Sequence, residues 1–196
     1  MGERHFSIFR TSLVFLLFLI PSHRFLGQTA TLRRRISETI DEKSLVTLGG
    51  NTHPLARPEW DKGIAPDQFS MPRMLLVLRR GEEQENALKQ MLVDQQVKSS
   101  PSYHQWLTPQ QFGTQFGPGD EDIQTVSEWL TNEGFQVNRI AAGRSIIEFS
   151  GTAGQVRHSF HTEIHNFVRA GESHWANQTD PQIPAALAPV VAGIVS

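Results

Sequence analysis

An α+β fold, an antiparallel sheet with helices on one face, follows from three features of the sequence. Met74-Leu-Leu-Val-Leu78 is a continuous apolar run, short enough for a central strand. Thr108-Pro-Gln-Gln111 and Thr152-Ala-Gly-Gln155 both carry the capping-box spacing of a helix start. Between them, Gln136-Val-Asn-Arg-Ile140 and Ser145-Ile-Ile-Glu-Phe149 flank Ala141-Ala-Gly-Arg144 and read as a hairpin. All of this lies in a chain of 196 residues, a length that holds about one ordinary domain.

At the amino terminus, Arg4, His5 and Arg10 precede Ser12-Leu-Val-Phe-Leu-Leu-Phe-Leu-Ile20, which stops at Pro21. A cationic stretch, a short apolar stretch and a polar exit have the anatomy of a secretory signal peptide over residues 1–27, with cleavage between 27 and 30. A bilayer span needs about 20 predominantly apolar residues, so no membrane span is expected once the leader is removed. The expectation is a secreted chain, extracellular or periplasmic. The sequence has no cysteine, which excludes a disulfide framework, thiolate catalysis and cysteine-held metals. Eighteen basic against 20 acidic residues leave no basic field for nucleic acid.

From residue 31 to 72 the chain is polar and broken by Gly49-Gly50, Pro54, Pro58, Gly63, Pro66 and Pro72. It predicts an extended arm, with Leu45-Val-Thr-Leu48 as a candidate edge strand. Arg33-Arg34-Arg35 beside Glu38, Asp41 and Glu42 reads as a solvated helix face, with a basic patch or a processing site as rivals. The core is expected over 73–177. From Glu82 an amphipathic helix runs toward Ser99, with acids in its first turn and Leu88, Met91, Leu92 and Gln95 on one face. A short helix after Thr108 breaks at Gly117-Pro-Gly119, and Asp120-Glu-Asp122 opens another with Ile123, Val126, Trp129 and Leu130 inward. Beyond the hairpin and the helix that starts at Thr152, Glu163-Ile-His-Asn-Phe-Val-Arg169 is the closing strand. Counting the central helices as one crossover gives βαββαβ, a ferredoxin-like sandwich. Residues 178–196, stiffened by Pro181, Pro184 and Pro189, are the expected linker.

No nucleophile elbow of the G-x-S-x-G kind is present, and Ser150-Gly-Thr-Ala-Gly154 lacks the lysine of a phosphate loop. His158, His161, His165 and His174 cluster in sequence without an H-E-x-x-H spacing, so no metal set is expected. Glu121, Asp122, Glu128 and Glu133 read as dipole complement and outer-face solubility. Tyr103, His104 and Trp106 share a loop and read either as satellite core anchors or as contacts for another protein. No catalytic residue and no cofactor is expected. The rival is a small ferredoxin-like hydrolase using Arg79-Arg80-Gly81 as an anion loop.

The string Ser100-Pro-Ser-Tyr-His-Gln-Trp-Leu-Thr-Pro-Gln-Gln-Phe-Gly-Thr-Gln-Phe-Gly-Pro118 resembles the signature segment of the activation domain of kumamolisin-type sedolisins. Val126-Ser-Glu-Trp-Leu130 with Gly134-Phe135, Ile147-Glu-Phe-Ser-Gly-Thr-Ala-Gly-Gln-Val156, Phe160-His-Thr-Glu-Ile-His165 and Asp180-Pro-Gln-Ile-Pro-Ala-Ala-Leu187 follow in the order that family uses. The resemblance implies a ferredoxin-like prodomain of a secreted, acid-active serine-carboxyl peptidase. Its implied work is that of intramolecular chaperone and inhibitor, cleaved off at acid pH, with a sedolisin-type catalytic domain as partner in cis or in trans. The family's catalytic residues and calcium site lie in a large domain after the prodomain, and the chain stops at Ser196, where that domain would begin. A free-standing inhibitor or binding module is the alternative. The expected partner contacts are Tyr103, His104, Trp106, His165, Pro184 and Leu187. The expected pH sensors are His158, His161 and His165, since histidine gains charge below about pH 6.5 and a charge opposes burial.

Overall fold

The computed structural model describes residues 34–195; the expected leader, its cleavage point and Arg33 lie outside them. In chain order the elements are β1 (Leu45–Thr47), β2 (Asp61–Ile64) after a 3-10 turn at Pro58–Trp60, β3 (Ser70–Leu78), α1 (Glu82–Asp94), α2 (Pro109–Phe116), α3 (Asp120–Asn132), β4 (Gln136–Ile140) and β5 (Ile146–Thr152). They continue with α4 (Ala153–Phe160), β6 (Ile164–Arg169), β7 (Glu172–Asn177), β8 (Gln182–Pro184) and, past a 3-10 turn at Ala185–Leu187, β9 (Val191–Val195). The protein is thus α+β, and its strand pairs are antiparallel.

The main sheet has the order β4-β5-β3-β9. Alternation along β3 and β5 turns Met74, Leu76, Leu78, Ile147 and Phe149 into the core. There they join Ile123, Val126 and Leu130 of α3 and Val156 and Phe160 of α4 in one cluster. Aromatic rings fill its centre: Phe135 meets Phe149 edge-on at 5.2 Å, and Trp129 meets Phe160 edge-on at 5.4 Å. The helices α2 and α4 start through the capping boxes read from sequence. The Thr108 and Thr152 hydroxyls accept from the amides of Gln111 and Gln155, and each glutamine side chain accepts from its threonine's amide.

The structure corrects the sequence reading of both flanks. The strand that closes the strand, helix, strand, strand, helix, strand succession is β9, whose Ile194 pairs with Leu76 and Gly193 with Val77. Residues 178–195, read from sequence as a linker, therefore supply β8 and β9. The run expected to close the sheet, β6, instead sits in a smaller sheet of order β2-β6-β7. Local pattern cannot tell which of two strand-like runs crosses to the sheet.

Nor is the stretch up to residue 72 an appendage. Its Ile36 and Leu48 are buried, β1 pairs with β8, and β2 pairs with β6. Asp122, in the first turn of α3, has no exposed surface. Its carboxylate accepts from the amides of Arg35 and Ile36, each at 3.0 Å. Glu42 accepts from the Trp129 indole N–H at 2.9 Å. The sequence reading places Asp122 in solvent, because a single helix face does not reveal the chain that will lie against it; Glu42 stays exposed, as read. Leu92, read as inward, is 52% exposed on α1.

Replacing Asp122 by Ala strands two backbone amides, so urea unfolding of the variant should show a loss of about 1–3 kcal/mol. An unchanged midpoint would mean that Asp122 does not hold the amino-terminal segment.

Candidate docking surface

Tyr103, His104 and Trp106 do come together. Buried Gln95 at the end of α1 accepts the His104 amide on its carbonyl at 3.2 Å, and its side chain donates to the Gln105 carbonyl. The loop is thereby folded back with His104 at a positive φ of 56°. Its rings form a ladder, Tyr103 to His104 at 3.8 Å and His104 to Trp106 at 5.8 Å. Trp106 is 68% exposed, so the ladder ends as a surface feature. His158 and His161 are exposed at the end of α4. His165, Pro184 and Leu187 are buried in the body and offer no face to a partner, which corrects their reading as contacts. The arginines of the hydrolase rival are engaged elsewhere: Arg79 donates to the Val191 carbonyl at 3.1 Å, and Arg80 pairs with Glu85 at 2.9 Å over the Phe112 ring.

Sequence reasoning missed a cleft of about 590 Å³ between the small sheet and the end of β9. Its floor is one face of the β6–β7 hairpin. Phe167 lies directly across from His174, and Arg169 and Ala176 follow two residues on along their strands, so these side chains point the same way. The loop 50–56 and Ile194–Val195 form its walls, and no acidic residue lines it among the described residues. Hydrogen bonds hold those walls: Asp180 accepts from the Gly50 amide at 2.9 Å and the Thr52 hydroxyl at 2.7 Å. Asn51 accepts from the Ile194 amide at 2.8 Å, and Asn177 donates to the Asn51 carbonyl at 3.0 Å. Beside the floor, the Arg169 guanidinium lies 4.7 Å from the Trp60 ring centroid and that of Arg57 5.3 Å from it. The only trace of this in sequence is isolated aromatic and basic residues, far apart in the chain.

Next to the cleft, His165 Nδ1 lies 2.9 and 2.8 Å from the two Asp61 oxygens, and its Nε2 3.5 Å from Glu163. The bond from His165 and the Gly63 amide together hold the Asp61 carboxyl below its usual range. Bonds from Thr52 and then the Gly50 amide do the same for Asp180. The His165 ring thus faces two carboxylates, those of Asp61 and Glu163. Among the described residues, no group of three or more acidic or histidine side chains could hold a metal ion.

Residues 58–196 match the family described as pro-kumamolisin, activation domain. The chain belongs to that family. The matched stretch takes in the Trp60 turn, the cleft floor and β9, so the small sheet and the late strand are both parts of the activation domain. The activation domain is 32% identical over 102 residues to xanthomonalisin of Xanthomonas sp. (strain T-22), covering 52% of this chain and 12% of that protein. It is 27% identical over 111 residues to sedolisin of Pseudomonas sp. (strain 101), covering 57% of this chain and 19% of that protein. With aorsin of Aspergillus oryzae it shares 28% over 81 residues, 39% of this chain and 12% of that protein. The activation domain thus corresponds to a small share of each relative's length. No helix among its described residues is long and apolar enough to cross a membrane.

The lowered carboxyls carry a sign. A depressed folded-state pKa stabilises fully above the unfolded value of about 3.9 and is lost as pH falls through the lower folded value. Urea midpoints measured against pH should therefore decline below about pH 4, and Asp61→Asn should flatten part of that decline. An unchanged slope in the variant would remove Asp61 from the acid response.

Proposed function

We propose that this activation domain is the propeptide of a sedolisin-type serine peptidase, which helps a catalytic domain to fold, restrains it and is released in acid. The observation that carries the reading is the family match across every element from β2 to β9. The small share of xanthomonalisin and sedolisin that is matched supports a module that serves a larger unit. In this reading the domain does no chemistry of its own. The cap at Thr152 and the engaged Arg79 and Arg80 support that. The apolar run 12–20 behind a cationic start supports export.

Release in acid has support in the body itself. Asp61 and Asp180 secure β2 and the 50–52 loop, and neutralising them loosens both attachments. Exposed His158 and His161 would add repulsion to a partner that covers them.

The test is inhibition in trans. The purified chain should inhibit a separately produced sedolisin-type catalytic domain near pH 7, and inhibition should weaken by about tenfold or more at about pH 3, below the usual carboxylate range. A variant with His158 and His161 replaced by Gln should release more slowly in acid. A folded chain that inhibits no sedolisin-type domain would sink the reading, as would peptidase turnover by the chain itself.

A further inference from the structure

Arg169 differs from every other arginine among the described residues. The others each have a carbonyl or a carboxylate as partner: Arg34, Arg35, Arg57 and Arg79 donate to carbonyls, and Arg73, Arg80, Arg139, Arg144 and Arg157 form ion pairs with acids. The Arg169 guanidinium is held over the Trp60 ring at 4.7 Å and has no hydrogen-bond or ion-pair partner among the described residues. It stands at the edge of a cleft that no acid lines.

We propose that this cleft docks an extended apolar peptide segment bearing one carboxylate, presented by a partner protein, with Arg169 as the seat of the carboxylate. A guanidinium already positioned by an aromatic ring loses little freedom on binding, and its planar fork fits a carboxylate. A second donor stands on the wall: His53 Nδ1 accepts from the Leu55 amide at 3.1 Å, which leaves the Nε2 side of the ring for a ligand. Glu172 stands directly across from Arg169 in the β6–β7 register, but its side chain, 80% exposed, lies 3.6 Å from His174, forms no ion pair with Arg169 and is outside the cleft lining. Leu55, Phe167 and Ile194 supply apolar surface.

A peptide rather than a small apolar acid is indicated by the sheet edges. The strand β7 is the free edge of β2-β6-β7, and a strand laid along it gains main-chain hydrogen bonds. At the facing edge, the Ile194 amide is already taken by Asn51, which directs an added strand to β7. On its other face Trp175 packs against Phe69 with ring centroids 4.3 Å apart and tilted by 36°, which ties β7 to the body. That the partner is a peptidase rests on the propeptide reading; the chemistry of the segment does not.

The test uses the full chain and a fluorescent, end-blocked peptide, Leu-Thr-Val-Asp-Leu-Thr-Val, read by polarisation. Binding should saturate, weaken by about tenfold or more when the peptide's Asp becomes Asn, and weaken equally in Arg169→Gln. Arg57→Gln, a change beside the same ring in a residue that pairs with Glu59, should leave it unchanged. A thermal melt of Arg169→Gln matching the parent excludes misfolding as the cause. Equal affinity for both peptides, or no effect of Arg169→Gln, overturns the proposal. So does decanoate that displaces the label as well as unlabelled peptide does, because a main chain would then be dispensable. Inhibition of a sedolisin-type catalytic domain separates the two readings. Inhibition by the parent but about tenfold less by Arg169→Gln supports the peptidase as the segment's source. Equal inhibition by both overturns the cleft and leaves the propeptide reading standing. Peptide binding without any inhibition overturns the propeptide reading and leaves the cleft standing.

Discussion

The strand β3 is paired on both sides, with Leu76 opposite Ile147 on one flank and Ile194 on the other. A strand buried in this way must have its amides and carbonyls met from both directions, because water cannot reach them. One partner is β5, the second strand of the β4–β5 hairpin, and the other comes from the end of the described chain. After α4 the chain therefore leaves the main sheet, builds β6 and β7, pairs β8 with β1, and returns as β9. The cleft arises from that detour. It lies where the small sheet and the returning strand approach each other, with the 50–56 loop between them.

The same requirement explains how the amino-terminal segment is held. Its loops have few regular pairs of their own, so side-chain carboxylates and amides take up their backbone groups: Asp122 for Arg35 and Ile36, Asp180 for Gly50, and Asn51 in turn for β9. Bonds to an ionised acceptor are stronger than neutral ones and last only while the acceptor stays ionised. Asp61 and Asp180, whose carboxyls such bonds hold below the usual range, fasten the body fully only above about pH 4.

Much of the architecture was legible in the residues. The two capping boxes, the hairpin around Ala141 to Arg144, the short strand at Leu45 and the inward faces of α3 and α4 all stand where their local pattern puts them. The aromatic ladder of Tyr103, His104 and Trp106 was legible as a group, though not as a surface. Illegible were the closing strand, the burial of Asp122, the bond from Trp129 to Glu42, and the cleft with Arg169, unpaired among the described residues.

The division has one physical cause. Helix caps, turn chemistry and apolar periodicity act between residues a few positions apart, so the order of elements, the α+β class and the family likeness are written along the chain. Which strand enters the sheet beside β3, which acid is buried and which arginine is left without a partner among the described residues depend on groups about 90 to 120 residues apart. Those were settled when the chain folded back on itself. There, competition for backbone hydrogen bonds chose β9 over β6, turned a helix-start aspartate into an anchor, and left Arg169 facing an open cleft.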